Sequence, residues 1–141
     1  MEVPSPARLY AGLAGAALLL LGILGFFYTA SFGELDGYEE ALGALQVNGW
    51  LNLLYVFVGA IGLLVAGVSS RTYSLAIGLL FIAMAIVGWG TVAFNLAIGL
   101  LGLAAAWGTP RGQGQGEKVD QRATKAPRRS KPRAKPARQR P

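Results

Sequence analysis

The sequence contains neither cysteine nor histidine, and only 14% of its 141 residues are charged. Without cysteine, the chain has no disulfides, no thiolate chemistry and no cysteine-based metal site. The sequence also has no histidine-based nucleophile pair, no cluster of metal ligands and no phosphate-binding glycine loop followed by lysine. We therefore expect a protein that is not an enzyme and that binds no cofactor.

Charged residues are missing altogether from three long stretches, residues 9–33, 41–70 and 72–110. A helix needs about 20 mostly apolar residues to cross the ~30 Å hydrocarbon layer. The third stretch would reach about 58 Å as one helix, so we divide it at "GWGT", residues 88–91, where two glycines permit a tight turn. The pattern predicts an all-α, polytopic membrane protein with four transmembrane helices near residues 9–30, 50–68, 72–89 and 91–107.

The first helix is expected to be retained, because its apolar part exceeds the ~7–15 residues of a cleaved signal peptide. Residues 111–141 carry 11 of the 13 Lys and Arg residues, whereas the loop after the first helix carries four acidic residues and no base. By the positive-inside rule the tail is cytoplasmic, and four crossings place Arg8 and Arg71 on that side too. The predicted organisation is a short cytoplasmic N-terminus (1–8), a membrane domain (9–107) and a tail (108–141).

The tail consists largely of Lys, Arg, Pro, Ala and Gln and contains no aromatic residue. Such a composition cannot bury enough apolar surface to fold, so we expect disorder. Its charge would attract anionic headgroups, at about 1 kcal/mol per basic residue near the surface, or nucleic acid without specificity. The alternative is a tail that only fixes orientation. The residues expected to make these contacts are Arg128, Arg129, Lys131, Arg133, Lys135, Arg138 and Arg140.

An internal repeat is indicated by "RLYAGLAG" at residues 8–15 and "RTYSLAIG" at residues 71–78. A shift of 63 positions superimposes both Arg-x-Tyr starts, and a shift of 40 superimposes "GAIGLL" on "GLLGLA" in the second and fourth helices. We predict two helical hairpins of common origin, related by an axis along the membrane normal. The alternative is chance similarity between glycine- and leucine-rich helices.

Small residues at helical spacing let helix backbones approach closely in a membrane, where lipid supplies no hydrophobic driving force between helices. The glycines predicted to form such packing faces, within one chain or between chains, are Gly59, Gly62, Gly99 and Gly102.

Polar side chains inside the apolar stretches are few, chiefly Asn52, Tyr55, Thr91 and Asn95. Tyr55 and Asn95 occupy matched positions of the proposed repeat. Such groups can mark a transport site, but we favour structural interhelical hydrogen bonds, at about 0.6 kcal/mol each. We expect Asn52 and Thr91 to lie near the outer interface, where water satisfies them.

Aromatic residues are placed as two interfacial belts would require, although scatter by chance is the alternative. The cytoplasmic belt would contain Tyr10, Tyr73 and Trp107, and the outer one Phe27, Tyr28, Trp50 and Trp89.

Residues 5–106, particularly "GILGFF" and "VNGW", resemble a family of bacterial four-helix membrane proteins catalogued as domain of unknown function 4383. The resemblance implies a four-helix fold and a membrane location. In that family an Asn, a His three residues later and a Gly four residues after that usually occur in the second and fourth helices. Here the corresponding residues are Asn52, Tyr55 and Gly59, then Val92, Asn95 and Gly99, so no histidine chemistry carries over.

Two classes of function remain. The first is a structural or interaction protein of the cytoplasmic membrane whose partners are the bilayer, anionic headgroups, nucleic acid and a second copy of the chain. The second is a small oligomeric transporter or channel for a neutral solute, with the matched polar positions lining its path. The absence of intramembrane charge argues against ion coupling, so we place this class second.

Overall fold

The computed structural model describes residues 3–41 and 43–111, and within these ranges it contains four helices and one short β-hairpin. The four-helix, all-α prediction is confirmed for this part of the chain. In chain order the elements are α1 (Pro6–Tyr28), β1 (Glu39–Ala41), β2 (Leu45–Val47), α2 (Gly49–Val65), α3 (Ser70–Val87) and α4 (Val92–Trp107).

Local capping signals set the helix ends, which differ from the predicted ones by at most three residues. The helix α1 begins at Pro6, where proline has no N–H to lose, and the Ser5 Oγ accepts a hydrogen bond from the backbone N of Arg8 (3.4 Å). Asn48 caps α2, since its Oδ1 accepts from the backbone N of Leu51 (2.7 Å). A side-chain acceptor at this position satisfies an otherwise unpaired donor of the first turn.

The turn between α3 and α4 lies at residues 88–91, the segment chosen from the sequence. Gly88 and Gly90 both adopt positive φ, at 77° and 76°. The N–H of Gly88 and that of Trp89 bond back to the carbonyls of Ala85 and Met84 (3.3 and 3.0 Å). A glycine in the left-handed conformation therefore ends α3 and reverses the chain within four residues.

The helices pair as two antiparallel hairpins. The first hairpin is α1 packed on α2, and the second hairpin is α3 packed on α4, with smaller contacts between the two. We call the side with residues 29–48 and 88–91 the loop end, and the side with residues 5–8, 66–71 and 107–111 the tail end. All described acidic residues lie at the loop end, and all described arginines lie at the tail end.

The sides of the bundle are apolar and exposed between these charged ends. Large side chains there keep much of their surface accessible, for example Leu13 (71%), Leu64 (80%) and Ile86 (80%). By length and composition, α1 and α3 can each cross a membrane, with mean hydropathies of 2.1 and 1.7. The helices α2 and α4 contain no charged residue, whereas α1 and α3 each contain one arginine, but α2 and α4 are shorter, at 17 and 16 residues.

The β-hairpin is absent from the sequence prediction, which treats residues 31–49 as loop. Its strands pair antiparallel, with Glu39 opposite Val47, and Gly43 in the connection has a φ of 80°. Strands of three residues are too short to show a period-two pattern. We call residues 29–48, which contain this hairpin, the loop-end cap.

The loop-end cap binds the turn of the second hairpin by four hydrogen bonds, one of which the Thr91 Oγ1 donates to the Ala44 carbonyl (3.5 Å). The backbone N of Gln46 donates to the Thr91 Oγ1 (2.8 Å). The Trp89 Nε1 donates to the Leu35 carbonyl (3.0 Å). The backbone N of Gly90 donates to a tyrosine hydroxyl of the cap (3.2 Å). The single long loop therefore covers the ends of both hairpins.

Replacing Gly88 by alanine should lower the free energy of unfolding by about 1 kcal/mol, because only the left-handed backbone conformation opposes the new methyl group. No atom lies within 4 Å of an added Cβ at this position. Gly12→Ala is the matched control, since its added Cβ also meets nothing within 4 Å and its backbone is helical. Denaturant titration in detergent micelles measures both. Equal effects of the two substitutions would contradict the assigned turn.

Candidate functional site

The candidate site is the interior of the bundle, where helix backbones approach each other at glycines. In the first hairpin, a Cβ added to Gly15 would lie 3.0 Å from the Gly59 carbonyl oxygen. In the second hairpin, a Cβ added to Gly78 would lie 3.0 Å from the Gly99 carbonyl oxygen. These pairs are related by the shifts of 63 and 40 that the sequence comparison uses. In both hairpins the two helix backbones therefore approach each other most closely at equivalent positions.

A pair of tyrosines connects the two hairpins, each reaching the opposite one. The hydroxyl of Tyr10 on α1 donates to the Ile98 carbonyl on α4 (2.9 Å). The hydroxyl of Tyr73 on α3 donates to the Val58 carbonyl on α2 (2.9 Å). The acceptors are 40 positions apart and the donors 63, so the two bonds are equivalent under the same shifts. We call these two hydrogen bonds the tyrosine clasp.

The tyrosine rings occupy space that two glycines leave open. A Cβ on Gly62 would lie 2.5 Å from the Tyr73 hydroxyl, and one on Gly102 would lie 2.8 Å from the Tyr10 hydroxyl. Of the four predicted packing glycines, Gly59 and Gly99 lie inside their own hairpins, and Gly62 and Gly102 lie between the hairpins. All four are buried.

The prediction that Tyr10 and Tyr73 belong to an interfacial belt is wrong. Their exposed fractions are 9% and 6%, and both hydroxyls bond inside the bundle. The reason is the room left by the facing glycines, which a sequence pattern does not reveal. Trp107, predicted for the same belt, is 87% exposed at the tail end.

Tyr55 lies between the hairpins within an aromatic cluster. Its ring centroid is 6.0 Å from that of Phe81 on α3 and 5.8 Å from that of Phe94 on α4. Centroid separations of this size are typical of favourable aromatic pairs. The matched position in the second hairpin, Asn95, makes a different contact, since its Nδ2 donates to the Trp89 carbonyl (2.7 Å).

Asn52 is fully buried between α1 and α2, which corrects the expectation that water satisfies it near the outer interface. Gly22 and Gly25 of α1 leave the space that it fills, and its Nδ2 donates to the Thr29 carbonyl (3.0 Å). Thr91 lies at the loop end, as expected, and is half-buried; its Oγ1 accepts from the Gln46 backbone N of the loop-end cap (2.8 Å). The Oδ1 atoms of Asn52 and Asn95 accept no hydrogen bond from the described residues.

The aromatic rings of Tyr55, Phe81 and Phe94 fill space between the hairpins. A cavity between α1, α2 and the loop-end cap has a volume of about 10 Å³, at the lower limit of the roughly 10–15 Å³ that one water needs. In the described ranges, no three acidic residues come close enough to hold a metal ion. The lining of the cavity is Leu21, Leu24, Gly25, Tyr28, Ala41, Leu45, Val47 and Tyr55.

The seven tail residues predicted to contact lipid or nucleic acid, Arg128 to Arg140, lie outside the described residues. Sequence reasoning missed the tyrosine clasp, although its signal was present in the repeated Arg-x-Tyr. It also missed the contact of the Arg71 Nε with the carbonyls of Ala106 and Thr109 (3.2 and 3.1 Å).

Branched side chains at Gly62 and Gly102, the two glycines between the hairpins, should destabilise the fold to a similar extent. We expect Gly62→Ile and Gly102→Ile each to lower the free energy of unfolding by roughly 2–3 kcal/mol, because neither site can admit the added atoms without separating helices. Gly67→Ile is the control, since its Cβ would meet only the Arg8 guanidinium at 3.6 Å. Unfolding in micelles provides the measurement, and very unequal effects at the two glycines would contradict the equivalence of the hairpins.

Removing one hydroxyl of the tyrosine clasp should have a small effect of equal size in either hairpin. Tyr10→Phe and Tyr73→Phe should each cost about 0.6 kcal/mol, the average for interhelical hydrogen bonds in membrane bundles. Tyr28→Phe serves as the control, because Tyr28 is 49% exposed. Steric-trap or denaturant unfolding in micelles distinguishes these cases. If Tyr10→Phe lowered the free energy of unfolding and Tyr73→Phe left it unchanged, only one of the two bonds would hold the hairpins together.

One of three comparisons with known proteins finds a match. A family model described as "Domain of unknown function (DUF4383)" matches residues 8–106, which include α2, α3 and all but the outermost residues of α1 and α4. No curated protein and no solved structure matches the chain. The match covers well over half of the sequence, and the resemblance noted from the sequence is confirmed: the chain belongs to the DUF4383 family.

Proposed function

We propose that this chain is a multi-pass protein of the cytoplasmic membrane that acts as a structural or interaction protein, not as an enzyme. The observation that supports this most directly is the distribution of surface chemistry. Apolar side chains cover the flanks of the bundle, and described charges occur only at its two ends. Exposed apolar surface as extensive as this is rare in soluble monomers, and a bilayer would cover it.

All four helices are proposed to span the bilayer, including the two shorter ones. At 1.5 Å per residue α2 and α4 extend for about 25 Å, and tightly packed neighbours of 23 and 18 residues flank them. Local thinning of the bilayer accommodates short helices at modest cost. The equivalent glycine contacts and the tyrosine clasp support descent of the two hairpins from one duplicated hairpin.

The tail end is proposed to be cytoplasmic. Described arginines lie there, acidic residues lie at the loop end, and the basic tail follows α4. In this orientation the tail is adjacent to the anionic inner leaflet, where we propose that it contacts lipid headgroups or, without specificity, nucleic acid. A second copy of the chain is a further proposed partner through the exposed flanks.

The packing of the interior does not favour the alternative of a transporter or channel for a neutral solute. Tyr55, Phe81 and Phe94 occupy the space between the hairpins, and the loop-end cap covers the bundle above them. A path would therefore have to form between copies of the chain. Solute flux into vesicles that contain the purified protein tests this alternative, and uptake above that of empty vesicles would reverse the ranking.

Single cysteines at positions 36 and 125 of this cysteine-free chain test the proposed topology. We expect an impermeant thiol reagent on intact cells to label the Asp36→Cys protein and to leave the Lys125→Cys protein unlabelled until the cells are permeabilised. The positive-inside rule predicts this pattern. Labelling of position 125 but not position 36 in intact cells would reverse the proposed orientation, and labelling of both would exclude an even number of crossings.

A further inference from the structure

The tail end carries positive charge with no counter-charge among the described residues. Between Glu40 and Arg111, Arg71 is the only charged residue in the sequence. The described acidic residues all lie at the loop end, on the other side of the apolar bundle. No described acidic residue therefore neutralises Arg71, which leaves its charge open to an anion from outside the bundle.

Arg71 is held in place by main-chain atoms. Its Nε donates to the carbonyls of Ala106 and Thr109 (3.2 and 3.1 Å), where the last carbonyls of α4 lack helical partners. Thr109 is itself fixed, because its Oγ1 accepts from the backbone N of Ala7 (2.9 Å) and donates to the Ala105 carbonyl (2.8 Å). The guanidinium is thus positioned before any ligand binds.

The other donors of this guanidinium remain available. Both hydrogen bonds that Arg71 makes to described residues involve Nε, and the side chain is only half-buried. The two Nη groups form a planar fork that matches two oxygens of a phosphate, an arrangement that lysine cannot reproduce.

The surface beside Arg71 suits the rest of a lipid. Leu75 and Leu79 follow it at spacings of four residues on α3, on one helix face, and they are 39% and 55% exposed. A phosphate at Arg71 would place acyl chains along these leucines. A soluble phosphate compound or a nucleic acid would gain nothing from this apolar strip.

We propose that Arg71 is a binding site for the phosphate of an anionic phospholipid in the leaflet at the tail end, with the acyl chains lying along Leu75 and Leu79. This site is separate from the tail, and it rests on the proposed membrane location of the bundle. Arg8 provides an internal comparison: it is the repeat equivalent of Arg71, but it is exposed and its side chain makes no hydrogen bond to the described residues. Preorganised binding is therefore assigned to one of the two arginines.

The test uses the full-length protein and four variants, reconstituted in nanodiscs of phosphatidylcholine and phosphatidylglycerol. The variants are Arg71→Lys, Arg71→Gln, Arg8→Lys and Arg8→Gln. Native mass spectrometry counts the phosphatidylglycerol retained, at high salt so that contacts of the exposed tail are screened. We expect both Arg71 variants to retain this lipid about tenfold more weakly, as loss of one charge-assisted pair implies. Both Arg8 variants should match the unsubstituted protein.

Undiminished retention by Arg71→Lys and Arg71→Gln would overturn the site, as would an equal loss in the Arg8 variants. Thermal unfolding in pure phosphatidylcholine separates lipid binding from folding, because a role confined to capping α4 would lower stability there and leave lipid retention unchanged. If neither Arg71 variant folds, the unfolding temperature of the unsubstituted protein is measured at high salt. Phosphatidylglycerol must then raise this temperature, and inorganic phosphate must leave it unchanged. A failed site leaves the cysteine-labelling pattern intact, whereas a wrong membrane topology changes that pattern.

Discussion

Close approach of helix backbones at glycine is the constraint on which the other contacts of this bundle depend. At Gly15 and Gly59, and again at Gly78 and Gly99, the added atoms of any other side chain would meet the facing main chain. Only at this separation can dispersion contacts accumulate along the helices, and in a bilayer no hydrophobic effect would replace them. The side chains between the hairpins then occupy a space whose dimensions the glycines have already set.

The tyrosine clasp follows from the same constraint. A phenol ring fits between the hairpins because Gly62 and Gly102 have no side chains there, and its hydroxyl then reaches a carbonyl of the opposite hairpin. Each carbonyl belongs to a helix interior, so the bond adds a second donor without removing a helical one. Each hairpin therefore donates one hydrogen bond to the other, and neither bond removes a hydrogen bond within a helix.

The hairpins differ chiefly at the loop end, where the long loop of the first pairs with the short turn of the second. The second hairpin turns within residues 88–91 and leaves polar groups of Trp89, Gly90 and Thr91 at its tip. The longer cap of the first hairpin supplies partners for all three. Unpaired polar groups cost free energy wherever water is scarce. The long cap pairs the polar groups of the short turn, whereas two short turns would leave such groups without partners.

The sequence by itself determined the number of helices, their approximate limits and the separation of charge between the two ends. These features are local, because charge-free length and glycine-permitted turns do not depend on distant residues. It also located the equivalent glycines, since a repeat is visible as spacing. The membership of the DUF4383 family followed from motifs in the same way.

Only the tertiary structure decided which way the polar and aromatic side chains point. Tyr10 and Tyr73 turn inward rather than to an interface, Asn52 is enclosed by α1, and Thr91 bonds to the loop-end cap. The anchoring of Arg71 on the end of α4 likewise depends on residues 35 and 38 positions away. A helical periodicity specifies which residues share a face, but the partner of that face is set by packing between helices, and that partner decides whether a polar group meets a carbonyl, a ring or solvent.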